Sequence, residues 1–274
     1  MSEIAILVLG EIDRPEFLGV RAMLESLGRL CCFTELERAL KALETGEIIP
    51  DLIVIAQAFP GQFSHQDADR LRRLAPLGRI VRLLGSWCEG ETRSGQPLPA
   101  AVRVYWHQWN ARAGRELHSL IQGQCPSWGL PVTATEEERL LQSIAQTPRH
   151  RQGLIAIHAR GSAMEDWLSS ACRTCGYSTV QLRPPHYTRI EGATAAVFDA
   201  SDLRGEELDQ LRRLRDALGR TPVIALLDFP RIEDQRRALA AGATAVLSKP
   251  LYLDDLFWQL DQMSEAVNRQ NVQI

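Results

Sequence analysis

Charged side chains follow several apolar runs in the second half of the chain, and these residues are the best placed to do chemistry. Asp199 and Asp228 each follow such a run, Lys249 follows the last one, and His158 and Arg160 follow the first. Parallel sheets carry their ligand-binding and catalytic groups at the carboxyl ends of the strands. The pattern therefore predicts that these acids and bases meet at one sheet edge, where Lys249 and Arg160 pair with Asp199.

A second group of chemically capable side chains lies in the first half, around the glycine-rich segment 85–99. A loop of about fifteen residues inside a compact domain is commonly functional. Aromatic anchors with a few polar groups suit a small molecule or a peptide. The residues expected to form this crevice are Trp87, Glu89, Arg93, Trp106 and His107. The alternative is that His107 is a hydrogen-bonded structural residue and that Trp106 covers the end of the sheet.

Other kinds of site find no support in the sequence. It contains no phosphate-cradling glycine motif, no nucleophile elbow and no metal-ligand cluster. Cys172 and Cys175 form a C-x-x-C pair, but zinc needs four ligands and no second pair has matching spacing. We therefore interpret both as structural cysteines on a helix. Cys88 would act as a nucleophile only with a neighbouring base and a lowered pKa.

The elements that would position these groups alternate between short apolar strands and amphipathic helices, the first helix capped by Asp13 and Glu16. This alternation predicts an α/β architecture, a parallel sheet with helices on both faces. The predicted strands are 4–9, 30–33, 51–56, 79–84 and 102–105 in the first half, and 154–157, 178–182, 195–198, 223–227 and 245–247 in the second. Two copies of one five-strand unit explain the pattern.

A stretch rich in proline and glycine separates the two halves and indicates a domain boundary. The predicted domains are 1–124 and 151–274, joined by a linker over 125–150. Thr135 begins one capped helix in this linker, over 136–146. The sequence leaves open on which domain this helix packs.

The composition argues against several classes of partner. The chain has 274 residues, of which 45% are hydrophobic and 24% charged, enough for the cores of two domains. Its 31 basic and 34 acidic side chains give a net charge of -3, without the basic excess that nucleic-acid binding requires. No apolar stretch approaches the ~20 residues of a membrane span, and the start lacks signal-peptide features. We expect a cytoplasmic protein with reduced thiols that binds neither nucleic acid nor membranes.

The last third of the chain resembles the second half of a response-regulator receiver domain of the chemotaxis type. The resemblance is carried by 221–227 (TPVIALL), 238–243 (ALAAGA), 246–250 (VLSKP) and 253–256 (LDDL). It extends over about 151–270, and the first domain is similar only in the order of its elements. The resemblance implies two tandem flavodoxin-like (βα)5 domains with doubly wound parallel sheets.

The resemblance also implies a chemistry. In receivers an aspartate accepts a phosphoryl group from a histidine kinase, helped by two acids that hold magnesium, a hydroxyl residue and a lysine. Asp199 matches the phosphoacceptor position and Lys249 the lysine position, but His158 and Ala159 replace the acidic pair and Leu227 replaces the hydroxyl. Magnesium prefers oxygen ligands, which neither replacement of the acids offers. We expect no cofactor, with magnesium needed only if Asp199 is phosphorylated.

The first domain departs further from the receiver pattern. Gln57 stands at the phosphoacceptor position and Trp106 at the lysine position. Aspartyl phosphorylation is therefore chemically impossible at that position.

Three functions follow from these patterns. The first is a non-enzymatic signalling or scaffold protein of two degenerate receiver domains, without an output module, which acts by protein contact. The second is a genuine phosphoacceptor at Asp199 in a two-component phosphorelay. The third is a small-molecule sensor or enzyme whose site is the crevice of the first domain.

The expected partners are proteins, with a histidine kinase or another signalling protein among the candidates. The resemblance implies an interface formed by the fourth helix, fifth strand and fifth helix, over 231–241 and 245–263. Tyr252, Phe257 and Trp258 are its expected anchors, because aromatic residues carry much of the energy of association. A homodimer through this face remains open.

Overall fold

The computed structural model divides the chain into two compact units, Met1–Ala145 and Gln146–Ile274. The boundary falls inside the predicted linker. The structure describes residues 4–91, 98, 101–124, 126–131, 134–135, 137–138, 141–142, 151–184, 187 and 190–272, with side chains as far as residue 264. No helix among these residues is long and apolar enough to cross a membrane.

Unit 1 contains a five-stranded parallel sheet with the strand order β2-β1-β3-β4-β5. Its strands are β1 (Ile4–Gly10), β2 (Gly28–Phe33), β3 (Leu52–Gln57), β4 (Arg79–Leu84) and β5 (Val102–Tyr105). Its described helices of more than one turn are α1 (Val20–Glu25), α2 (Leu36–Glu44), α3 (His65–Leu74) and α4 (Trp109–Ile121). Single 3-10 turns lie at Pro15–Phe17, Ser86–Cys88, Trp106–Gln108 and Ser127–Gly129.

Unit 2 repeats this topology, with the strand order β10-β9-β8-β6-β7. Its strands are β6 (Leu154–His158), β7 (Ser178–Gln181), β8 (Ala193–Asp199), β9 (Val223–Asp228) and β10 (Ala245–Lys249). Its helices are α5 (Ser162–Thr174), α6 (Glu206–Leu218), α7 (Ile232–Ala240) and α8 (Leu253–Val272). Counted along each unit, both orders are 2-1-3-4-5, the flavodoxin-like arrangement. The predicted fold class is confirmed for both halves.

The central strands are apolar along their whole length because helices cover both faces of each sheet. Every residue of β3 is buried, as are the last five residues of β8. In α6, Leu211, Leu214 and Leu218 recur at helical spacing and pack into the core of unit 2. This packing holds the carboxyl ends of the strands in fixed register, which positions any group that follows them.

The first predicted helix differs from the structure. Asp13 does not cap a helix; its carboxylate binds Arg21 at the surface instead. A 3-10 turn at Pro15–Phe17 precedes the helix, and Gly19, with φ 86°, separates this turn from the start of α1. The predicted cap at Thr135 is present, since its hydroxyl accepts from the Glu138 backbone at 3.2 Å, but most of helix 136–146 lies outside the described residues.

Gly10 is required at the carboxyl end of β1. It has φ 108°, and a Cβ there would lie 2.3 Å from the carbonyl oxygen of Ala56 on β3. Gly19 also has a positive φ, but a Cβ there would meet open space. An alanine at Gly19 would therefore suffer backbone strain alone, whereas an alanine at Gly10 would suffer both strain and steric overlap.

We expect Gly10→Ala to lower the free energy of unfolding by on the order of 3 kcal/mol, and Gly19→Ala by about 1 kcal/mol. Denaturant unfolding followed by tryptophan fluorescence measures both, because Trp87, Trp106, Trp109 and Trp128, four of the six tryptophans, belong to unit 1. Equal losses for the two variants would contradict the steric explanation.

Candidate functional site

Charged side chains meet at the carboxyl edge of the unit 2 sheet. Asp199, Asp228 and Lys249 are the last residues of β8, β9 and β10, and Arg160 follows β6 by two residues. β6 and β8 are neighbours in the sheet although β7 lies between them in the chain. Ligands bind doubly wound sheets at such a switch point.

Lys249 forms the centre of this cluster. Its ammonium donates a hydrogen bond to Asp199 Oδ1 and another to the carbonyl oxygen of Ala200 at 2.9 Å. Its Nζ also lies 3.0 Å from Asp228 Oδ1. Lys249 and Asp199 are both buried, and the ammonium lies beside three oxygen acceptors. A buried charge needs such partners, because desolvation alone costs several kcal/mol.

Arg160 covers the same carboxylate from the other side. Its backbone N–H lies 3.2 Å and its Nε 3.4 Å from Asp199 Oδ2. Its Nη2 donates to Asp228 Oδ2 at 2.9 Å. Both oxygens of Asp199 therefore accept N–H groups, one from Lys249 and the other from Arg160.

The charges of this cluster alternate. Burial raises the pKa of Asp228, but its hydrogen bond to Lys249 and the positive charges of Lys249 and Arg160 outweigh that effect and hold the pKa below the ordinary value. Asp228 is therefore ionised at neutral pH. Asp199, Lys249, Asp228 and Arg160 thus form a ring of contacts in which acidic and basic groups alternate.

Glu207 is a member of this edge that the sequence analysis missed. Its carboxylate accepts hydrogen bonds from the backbone N–H and hydroxyl of Ser201 at 3.0 Å and from the backbone N–H of Leu203 at 3.1 Å. Arg160 Nε lies 3.9 Å from it. Leu203 has φ 54°, a left-handed conformation that is unusual for leucine. Glu207 thus fixes the loop that follows Asp199. An acidic residue in the first turn of a predicted helix was the sequence signal that could have revealed it.

His158 and Leu227, two positions that the sequence resemblance singles out, lie in aromatic and apolar surroundings. His158 is buried and stacks on Phe198 with ring centroids 4.5 Å apart. Its Nδ1 lies 3.4 Å from the Tyr187 hydroxyl, and burial lowers the pKa of the imidazole. Leu227 is fully buried in β9. No group of three or more His, Cys, Asp or Glu side chains within the described part of the chain could hold a metal ion.

Unit 1 closes its carboxyl edge in a different way. Gln57, the last residue of β3, donates to Glu91 Oε1 at 2.8 Å and to the carbonyl oxygen of Phe59 at 2.9 Å. Arg82 Nε donates to Gln57 Oε1 at 3.1 Å, and its Nη2 lies 2.8 Å from both Glu91 oxygens. Gln57, Arg82 and Glu91 are all buried. The sequence analysis missed Arg82, although an arginine inside an apolar strand was a visible signal.

The structure brings together only part of the predicted crevice. Glu89 Oε1 lies 3.6 Å from His107 Nε2, and Trp106 meets His107 edge-on with centroids 5.4 Å apart. Trp106 and His107 are buried, whereas Trp87 is 70% exposed. Arg93 lies outside the described residues. The crevice stays a prediction.

The predicted interface needs one correction. Phe257 is only 4% exposed, so its assignment as an exposed anchor is wrong. Its ring stacks near Tyr177 and lies 5.1 Å below the Arg151 guanidinium, because this face of α8 packs into unit 2. Tyr252 is 53% exposed and Trp258 is partly buried.

Comparison with known proteins gives a likeness in fold. No protein-family model and no curated protein matches the chain. A CheY-like receiver domain from Methanospirillum hungatei matches with 21% identity and a TM-score of 0.35, over 42% of this chain and 99% of that one. A response regulator from Thermotoga maritima matches with 18% identity and a TM-score of 0.36, over 42% of this chain and 99% of that one. A response regulator from Burkholderia multivorans matches with 20% identity and a TM-score of 0.32, over 41% of this chain and 94% of that one.

The chain resembles receiver domains in fold. A fold hosts many functions, so the function of this chain is argued from its side chains.

A double-mutant cycle measures the central ion pair. Lys249→Met leaves Asp199 buried with Arg160 as its main partner, and we expect a loss of about 3 kcal/mol in the free energy of unfolding. Asp199→Asn should cost less in the Lys249→Met background than in the wild type. The expected coupling energy is on the order of 2 kcal/mol; additive losses in denaturant unfolding would show that the two side chains do not stabilise each other.

His107 should make the stability of unit 1 depend on pH. Burial and the charge of Arg112 lower its pKa to about 4. An unfolded histidine titrates near 6.5, so between these values only the unfolded chain binds the proton and stability falls with falling pH. From pH 7 to pH 5 the wild type should lose about 1 to 2 kcal/mol more than His107→Gln. Parallel losses in fluorescence-monitored unfolding would contradict a buried neutral imidazole.

Proposed function

We propose that this chain is a non-enzymatic signalling protein built of two receiver-like units, which acts by contact with other proteins and not by phosphotransfer. The observation that carries the proposal is the double engagement of Asp199. Lys249 and Arg160 both contact its carboxylate, which is the group that would have to attack phosphorus. Lys249 and Arg160 therefore keep the Asp199 carboxylate in a permanently paired state.

Phosphoryl transfer depends almost wholly on positioning and on neutralising the charge of the transferring group. At this edge the positive charges are already neutralised by Asp199 and Asp228. His158 and Ala159 supply no side-chain carboxylate for a magnesium ion. An incoming phosphoryl group would have to displace existing ion pairs without the help of a metal, which argues for a site with a slow or absent reaction.

The rest of the chain supports a role in contact rather than catalysis. Unit 1 carries Gln57, an amide without nucleophilic oxygen, at the corresponding strand end. Beside the unit 2 cluster, Phe229 and Tyr252 follow β9 and β10 and are 66% and 53% exposed. Phe229 has φ 42°, a strained conformation for a non-glycine residue. Exposed aromatic side chains are typical anchors of protein interfaces, and a signalling protein, such as a histidine kinase, is the proposed class of partner.

Incubation with acetyl phosphate and magnesium, followed by intact mass measurement, tests the proposal. We expect the wild type to gain no phosphoryl group, because Asp199 stays paired. Asp199→Asn is the matched control, since it preserves the shape of the side chain and removes the acceptor. A stoichiometric, acid-labile gain in the wild type that is absent from Asp199→Asn would establish the phosphorelay alternative and overturn the proposal.

A further inference from the structure

Two arginines share one carboxylate on the sheet of unit 1. Arg82 in β4 is fully buried, and Arg103 lies opposite it in β5. Paired residues of neighbouring strands place their side chains on the same face of a sheet. Among the described residues their carboxylate partner is Glu91, whose oxygens lie 2.8 Å from Arg82 and 3.6 Å from Arg103. The pair therefore carries a local excess of one positive charge.

The hydrogen bonds of the two guanidinium groups leave specific N–H groups unused. Gln57 and Glu91 occupy Nε and Nη2 of Arg82, whereas its Nη1 is buried and has no acceptor among the residues that the structure describes. Nη2 of Arg103 lies 3.4 Å from the Tyr105 hydroxyl, and its Nε is likewise buried with no acceptor in the described part of the chain. Buried donors without acceptors are costly and rare in native proteins. Both unused groups are donors, so the missing partner is an acceptor.

We propose that a small carboxylate ligand binds between Arg82 and Arg103 of unit 1 and supplies the missing acceptor oxygens. Each guanidinium would donate one N–H to a carboxylate oxygen, and hydrogen bonds between a guanidinium and a carboxylate are charge-assisted and strong. The bound anion also balances the excess positive charge. Glu91 shows that a carboxylate fits against Arg82, where it accepts at both oxygens.

Arg103 gives such a ligand a route from solvent. It belongs to β5, the edge strand of the unit 1 sheet, and its side chain is 24% exposed. The full burial of Arg82 restricts the part of the ligand that enters to a small group. Burial also lowers the pKa of Arg82, a sign of the energetic cost that a bound anion would reduce. This site is independent of the function proposed for Asp199.

Thermal unfolding of the full chain in sodium acetate, compared with sodium chloride at equal ionic strength, tests the inference. A ligand that binds only the folded state raises Tm saturably, so acetate should raise Tm to a plateau and chloride should not. Saturation-transfer NMR of the acetate methyl group detects binding to the wild type directly. An acetate response no larger than that of chloride, together with no saturation transfer, overturns the proposal.

Arg103→Lys is the decisive variant, because it keeps the charge and removes the planar Nε donor. It should abolish the acetate plateau, whereas Arg79→Lys, at the start of β4, the strand that contains Arg82, should retain it. Arg103→Gln provides a second variant if the lysine form does not fold. An undiminished acetate response in the folded Arg103 variants would place the binding elsewhere and refute the site. A stronger response to inorganic phosphate than to acetate would refute the carboxylate assignment.

Discussion

The ion pair between Asp199 and Lys249 is the interaction on which the arrangement of unit 2 depends. It joins β8 to β10 across the intervening strand β9, so it can form only when all three strands are in register. Because both partners are buried, neither charge is tolerable alone. Asp228 on β9 and Arg160 after β6 complete the charge balance. The buried ammonium thereby has acidic partners at the ends of two other strands, β8 and β9.

Unit 1 shows that the fold does not impose this solution. It has the same strand order, yet its third strand ends in an amide, and its buried cation is Arg82 within β4 rather than a lysine after the last strand. Gln57 and Glu91, from two different segments, accept hydrogen bonds from Nε and Nη2 of that arginine. The backbone topology is common to both units, while the polar groups inside each carboxyl edge differ. Function therefore has to be argued separately for each unit.

The fold could be predicted because continuous apolar strands and amphipathic helices are local patterns. The meeting of Asp199 with Lys249 was also accessible, since both end apolar runs of one parallel sheet. Arg82 and Glu91 were not predicted, because their partners lie 9 to 34 residues away in sequence and depend on loop geometry. Glu207 was not predicted, because its contacts depend on the backbone turn after Asp199. Phe257 was misassigned because helical spacing shows which residues share a face but not which face points inward. The prediction that Asp13 caps the first helix was wrong because that helix begins only after Gly19, which has a left-handed backbone conformation.

The choice of lysine at position 249 has a geometric reason. Only two of the 31 basic residues are lysines, Lys41 and Lys249, so arginine is the rule in this chain. Lys249 places three acceptors around one nitrogen: a carboxylate oxygen of Asp199, one of Asp228 and the carbonyl oxygen of Ala200. An ammonium has three donors on a single atom, whereas a guanidinium spreads its donors over a flat fork. Arg160, which binds Asp199 and Asp228 through separate nitrogens at the half-exposed rim, occupies the position where that fork fits, and the buried centre requires the compact cation.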